Sequence, residues 1–171
     1  DRCALGTCVS YLCKTDVRLR DADLSYWLIS KFGRLSGSKF IDDSIYNFSE
    51  DFRKGLVQGY MAGDGCSTKV ATSTNGIGIR VFGATVSKRL RDDMVDLLAS
   101  LGVMTTICTQ EATDPNHQDL HFFSIPSREL PEWQMFYYGR KEYKYRDLLS
   151  KLSPNALYRF RLPEIYFERM N

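Results

Sequence analysis

Ser49-Glu50-Asp51-Phe52-Arg53-Lys54-Gly55-Leu56-Val57-Gln58-Gly59-Tyr60-Met61-Ala62-Gly63-Asp64-Gly65 is the stretch whose reading decides the fold. Ser49 is a good helix N-cap, and Glu50 and Asp51 suit the positive end of a helix dipole. The pattern predicts a helix over residues 50–62. Gly55 and Gly59 lie inside it, and Gly63 follows at the same step of four. Each interior glycine costs a helix about 1 kcal/mol relative to alanine. At a spacing of four the three share one face and leave a flat strip of backbone, against which a second helix can pack closely. The strip ends at one carboxylate, Asp64, between Gly63 and Gly65. Spacing alone fits equally a tightly packed helix followed by a glycine turn.

On the C-terminal side the apolar period changes from helical to twofold. Asn75-Gly76 is a strong hairpin signal. With a two-residue turn it sets Thr74 against Ile77, Thr72 against Ile79 and Val70 against Val81, on one largely apolar side. Lys69, Ala71, Ser73, Gly78 and Arg80 then share the other side. Such a ribbon can enter a DNA major groove, or it can be a solvated sheet face. A helix is predicted over residues 87–101, with Leu90, Met94, Leu97, Leu98 and Leu101 as its stripe and Gly102 after it. A second hairpin pairs residues 103–110 with 120–125, and a helix over 127–138 ends at Gly139.

On the N-terminal side, residues 3–20 read as two short strands broken near Thr15-Asp16. Asp21 or Asp23 caps a helix over 22–32 with Leu24, Trp27, Leu28 and Phe32 as its apolar face, and Gly33 ends it. Residues 34–48 are irregular.

The chain has 171 residues, 43% of them hydrophobic, which allows one domain or two small subdomains with a real core. No run is long and apolar enough for a membrane span, and residue 1 opens no signal-peptide pattern. Net charge is only +2. Residues 139–161 concentrate seven basic side chains (140, 141, 144, 146, 151, 159 and 161) against acids at 142 and 147. Five cysteines without a C-x-x-C pair fit reduced thiols in an intracellular compartment: cytoplasm, nucleus or organelle. His117 and His121 sit in a loop leading into a strand, which argues against a zinc site.

Gly55-Leu56-Val57-Gln58-Gly59-Tyr60-Met61-Ala62-Gly63-Asp64-Gly65 resembles the dodecapeptide motif of LAGLIDADG homing endonucleases, as found inside inteins and as free-standing enzymes. Residues 33–42 resemble the segment that precedes the second motif in inteins, although Asp42 stands where proline is common. Residues 86–102 resemble the family's helix after the first hairpin, and the likeness spans about residues 20–140. It implies an α+β fold: an αββαββα repeat whose curved antiparallel sheet forms a DNA-binding saddle. It implies site-specific hydrolysis of double-stranded DNA with Mg²⁺ or Mn²⁺. The alternative is a relative that grips nucleic acid without cutting, such as an RNA-splicing maturase or a decayed endonuclease domain. A third possibility is a purely structural domain.

In that family two motif helices pack through their small residues, so Gly55, Gly59 and Gly63 would be the helix interface. Asp64 and the Gly63 carbonyl would hold metal. Lys39 and Lys141 match the basic catalytic residues, with Lys144 next. DNA contacts would come from Lys69, Ser73, Arg80, His121 and Lys144, with Thr105 or Thr106 as further contacts. Phosphate contacts from a basic tail would add affinity without reading sequence.

The chain also repeats on itself. A shift of 106 sets Leu24 on Leu130, Trp27 on Trp133 and Gly33 on Gly139. Residues 1–48 then read as the closing half of a first repeat, 49–145 as a whole second repeat, and 146–171 as a basic, aromatic extension. A rival register, with a shift near 63, sets Asp1 on Asp64. Either way the glycine strip calls for a partner: upstream residues, a second chain or a homodimer.

Overall fold

A computed structural model describes residues 9–12, 17–71, 77–125, 146, 147, 150 and 151. The N-terminal strands form as expected: β1 (Val9–Leu12) pairs antiparallel with β2 (Val17–Arg20) in a two-stranded sheet. Helix α1 (Ala22–Phe32) follows, and of the two candidate caps it is Asp21 that accepts the Leu24 N–H, at 2.9 Å. Gly33 ends the helix at φ 74°, where an added Cβ would also meet the Ser38–Lys39 backbone.

The apolar face expected for α1 does not enter the core. No residue of α1 is buried; Leu24, Trp27 and Leu28 are exposed, and only Phe32 packs against the core cluster. The period of the stripe is correct. The described elements simply bring no apolar surface over its upper turns.

Residues 34–48 are irregular, as expected, apart from 3-10 turns at Ser36–Ser38 and Asp43–Asn47. Helix α2 (Glu50–Asp64) has Ser49 as its N-cap, accepting from the Phe52 N–H at 3.3 Å. It runs two residues further than the sequence suggests, so Asp64 is its last residue. Strands β3 (Cys66–Ala71) and β4 (Ile77–Thr85) come next, then α3 (Lys88–Ala99), β5 (Thr106–Gln110) and β6 (Leu120–Ile125). Ser87 caps α3 through the Leu90 N–H at 3.1 Å. Leu90, Met94, Leu97 and Leu98 are buried as its stripe predicts. The sequence from α2 onward is therefore helix, two strands, helix, two strands. The helix expected over 127–138 and the basic, aromatic extension fall mainly outside the described residues.

The second sheet is wholly antiparallel, in the order β3-β4-β6-β5. One face is covered. Ile79 and Val81 of β4 and Phe123 and Ile125 of β6 meet Val57 and Met61 of α2 and the stripe of α3 in a single core. Alternation along the strands sends the other face, with Arg80 and Phe82, away from the helices. The fold is thus α+β, with both helices on one side of the sheet. Among the described residues, no helix is long and apolar enough to cross a membrane.

The hairpin register corrects one expectation. Ala71 pairs with Ile77, Lys69 with Ile79 and Ser67 with Val81. A two-residue turn at Asn75-Gly76 would have placed Val70 opposite Val81. The observed pairing is displaced by three residues, an odd number, so β3 changes faces relative to β4. The side chains that share Arg80's face are Cys66 and Thr68, and Lys69 belongs to the opposite one. Lys69 is nevertheless exposed, because β3 is the edge strand.

Candidate functional site

Val57 and Met61 are fully buried and occupy one side of α2. At 3.6 residues per turn, Gly55, Gly59 and Gly63 fall on the side opposite them. All three glycines are exposed, and a Cβ added at any of them would meet nothing within 4 Å. The strip is therefore unoccupied by the described residues. At its N-terminal end Phe52 and Phe48 stack at 4.5 Å and are themselves exposed, 38% and 40%. A flat backbone strip headed by an exposed aromatic pair is a surface suited to a second helix.

Asp64 closes this helix. It is exposed, and no basic side chain among the described residues pairs with it. The last turn of α2 carries no basic residue either. A carboxylate at the negative end of a helix dipole is disfavoured by about 0.3–1 kcal/mol, and a cation there reverses the sign. Tyr60, one turn earlier, has its phenol pushed up to about 12, first by burial and second by the Asp64 charge. Its hydroxyl donates to the Ala84 carbonyl at 3.0 Å. Gly83 gives the ring its room, since a Cβ there would lie 2.5 Å from Phe123 Cε1 and 2.7 Å from Tyr60 Cε1. Asp64 is thus held at the end of the sheet where β4 finishes.

Lys39 is anchored at the same end. Its carbonyl accepts from Ser87 Oγ at 2.6 Å, just beyond β4 and at the start of α3. The Ile41 N–H donates to Asp93 at 2.7 Å, and Arg89 lies 4.4 Å from the Phe40 ring centroid. These contacts pin residues 39–41 along the first turns of α3 and leave the Lys39 side chain exposed.

The open sheet face carries Cys66, Thr68, Arg80, Phe82, Thr106, Cys108, Phe122 and Ser124, by register. Arg80 is exposed; its Nε donates to Ser124 Oγ at 3.1 Å, and its guanidinium lies 5.3 Å from the Phe82 centroid. Thr106 stands on this face opposite Ser124. His121 does not. It pairs with Thr85 and Thr109 on the core side, is only 9% exposed, and shares a 3.0 Å hydrogen bond with Thr109 Oγ1. His121 therefore does not offer the expected nucleic-acid contact on the open face: strand parity turns the ring under the sheet. Ser73, Lys141 and Lys144 lie outside the described residues.

Asp64 and Lys39 thus lie toward the end of the sheet where β4 finishes, and the open face is the side of that sheet turned away from α2 and α3. Thr68 and Ser124 were not legible as site residues, because their face follows from the register alone, whereas Phe82 shares the face of Arg80 by simple alternation along β4. Among the described residues, no three His, Cys, Asp or Glu side chains gather into a metal cluster. At this end of α2 the described residues offer a cation the exposed Asp64 carboxylate and the adjoining backbone.

The family model described as a LAGLIDADG-like domain matches residues 51–149. No curated protein matches the chain.

Proposed function

Because the chain belongs to the LAGLIDADG family, we propose that it is the metal-dependent DNA-cutting half-site of a homing endonuclease. The observation that carries this reading is Asp64: an exposed carboxylate, without an ion pair among the described residues, at the negative end of a helix whose Gly55 and Gly59 would each have room for a Cβ among the described residues. A structural helix gains nothing from such an acid, whereas a cation site requires it. Mg²⁺ needs only one or two carboxylates from protein and keeps several of its waters. Asp64 and the Gly63 carbonyl fit that demand as half of a shared site. The other half would come with a second glycine-faced helix packed on Gly55, Gly59 and Gly63. Upstream residues, a second chain or a homodimer could supply it, and residues 1–48 would be the closing half of the first repeat.

Bound there, Mg²⁺ or Mn²⁺ would supply a positive charge for the scissile phosphate and a more acidic water. The chain's own residues do the rest. Asp64 holds the charge at the helix end, and Tyr60 fixes that end against β4. Lys39 offers a cation to the charge that develops on phosphate. The open sheet face grips the duplex, Lys141 would be a second basic catalytic residue beside Lys39, and other basic residues after 139, Lys144 among them, add phosphate contacts.

Incubation of the assembled protein with a library of duplex targets and Mg²⁺ tests this reading. Double-strand cuts are expected, lost in Asp64→Asn while DNA binding persists. Binding without cutting at any divalent metal concentration would instead favour the second reading, a non-cleaving relative. Phe82 and Phe122, 6.0 Å apart on the open face, favour that reading to the extent that they could stack unpaired bases.

A further inference from the structure

We propose that Arg80 reads one guanine in the major groove, with Ser124 as the residue that positions it. The inference rests on the duplex-binding reading above and deepens it.

Arg80 lies on β4, one of the two central strands of the sheet, rather than at its rim. No carboxylate among the described residues pairs with it, although the chain holds 21 acids. Its Nε is used by Ser124 Oγ at 3.1 Å, and its plane is flanked by Phe82 at 5.3 Å. Ser124 is 7% exposed, so the hydroxyl that holds Nε lies within the surface and the guanidinium rises from it. With Nε engaged on the protein side, the two terminal nitrogens form the outward fork. That fork matches guanine O6 and N7, the commonest specific arginine contact in the major groove. Holding it in place beforehand reduces the rotamer freedom lost on binding.

A phosphate contact would not need this arrangement. Lysine serves phosphate as a point charge, and phosphates lie at the margins of a sheet seated in the groove. Around Arg80 the described open face offers neutral side chains, including Thr68 directly across the strand pair and Cys66 two residues away. Arg80 is therefore the charged, oriented donor at the position where base edges would pass.

Site selection from a randomised duplex library with the 171-residue chain tests this. The wild-type protein is expected to enrich guanine at one position by about 5- to 150-fold over other bases. Arg80→Gln should move that preference toward adenine, because glutamine pairs with adenine N6 and N7. A misfolded variant cannot produce a changed preference at a single position. Ser124→Ala should weaken the guanine preference with little change in binding to non-selected DNA, and Ser124→Thr should restore it. If Arg80→Gln and Arg80→Ala lower affinity for every sequence alike and flatten the salt dependence, Arg80 contacts phosphate. The inference then fails while the duplex-binding reading stands. If neither the 171-residue chain nor its assembly with a second motif helix binds duplex, both fail together.

Discussion

The Tyr60 hydroxyl donates a 3.0 Å hydrogen bond to the Ala84 carbonyl, tying the last turn of α2 to the end of β4. Asp64 follows one turn later, with no ion pair of its own among the described residues. Its position is set by its neighbour's phenol and by the ring's contact with Phe123, 5.7 Å away between centroids. Among the described residues the Asp64 carboxylate is thereby placed through its neighbour rather than through an ion pair of its own.

Tyr60→Phe removes that bond and leaves the Ala84 carbonyl without its phenol partner. A loss of about 1 kcal/mol is expected, read from urea denaturation. The pH dependence follows from the phenol being pushed up to about 12 from 10.0. The folded state keeps its proton where the unfolded state has lost it. Stability is therefore complete below about pH 10 and falls as pH rises toward 12. Tyr60→Phe should flatten that decline. An equal decline in the variant would show that another group causes it.

Gly83→Ala tests the packing beneath the same bond. The added Cβ would fall against the Phe123 and Tyr60 rings, which are held by the core and cannot swing away cheaply. Overpacking of this kind costs about 1–3 kcal/mol. Thermal melting should show the loss, and an unchanged midpoint would mean that the Phe123 and Tyr60 rings yield to the added methyl group.

Lys31 and Asp42 join the end of α1 to the segment that carries Lys39. Lys31 Nζ lies 2.8 Å from Asp42 Oδ1. That hydrogen bond, followed by those from the Ser44 hydroxyl and N–H, holds the Asp42 carboxyl at about 2, below its usual 3.8. The contribution is present above about pH 4 and is lost as pH falls toward 2. In Lys31→Met, carboxyl titration by NMR should move the Asp42 midpoint upward toward 3.8. A midpoint that stays near 2 would assign the shift to Ser44 alone.

Local chemistry carried most of the fold in readable form. Ser49 caps the helix it was expected to cap, and the leucine stripe of α3 is buried as its spacing requires, although Ser87, expected as the first helical residue, is the cap. Register was not readable. Asn75-Gly76 pointed to a two-residue turn, yet the first described pair beyond it is Ala71 with Ile77. The shift leaves β4 as expected, with Ile79 and Val81 turned to the helices, and changes only which β3 side chains face them. A turn dipeptide names a hairpin, but its local signal does not contain the parity of the partner strand. The same ignorance of parity placed His121 on the wrong side. The stripe of α1 shows the complementary limit: period identifies an apolar face but not what lies opposite it.

Gly55, Gly59 and Gly63 give opposite predictions for the chain alone and for the assembled site. In the chain alone no described residue stands within 4 Å of a Cβ added at Gly55 or Gly59. Gly59→Ala should therefore stabilise α2, by up to about 1 kcal/mol, through helix propensity and a less flexible unfolded chain. A leucine there should also be tolerated, since it would point into open space. In an assembly where a second helix lies on the strip, each added side chain holds the two backbones apart. Asp64 and its counterpart would separate with them, and misplacement by about 1 Å can cost a hundredfold in rate. Gly59→Leu should accordingly melt no lower than the wild type as an isolated chain while losing association and cutting. A glycine strip that only relieved crowding within this chain would behave the other way, with the leucine variant destabilised on its own. Melting and sedimentation measured on the same two variants separate the cases, and a leucine variant that still assembles and cuts would remove the close helix pair from the account.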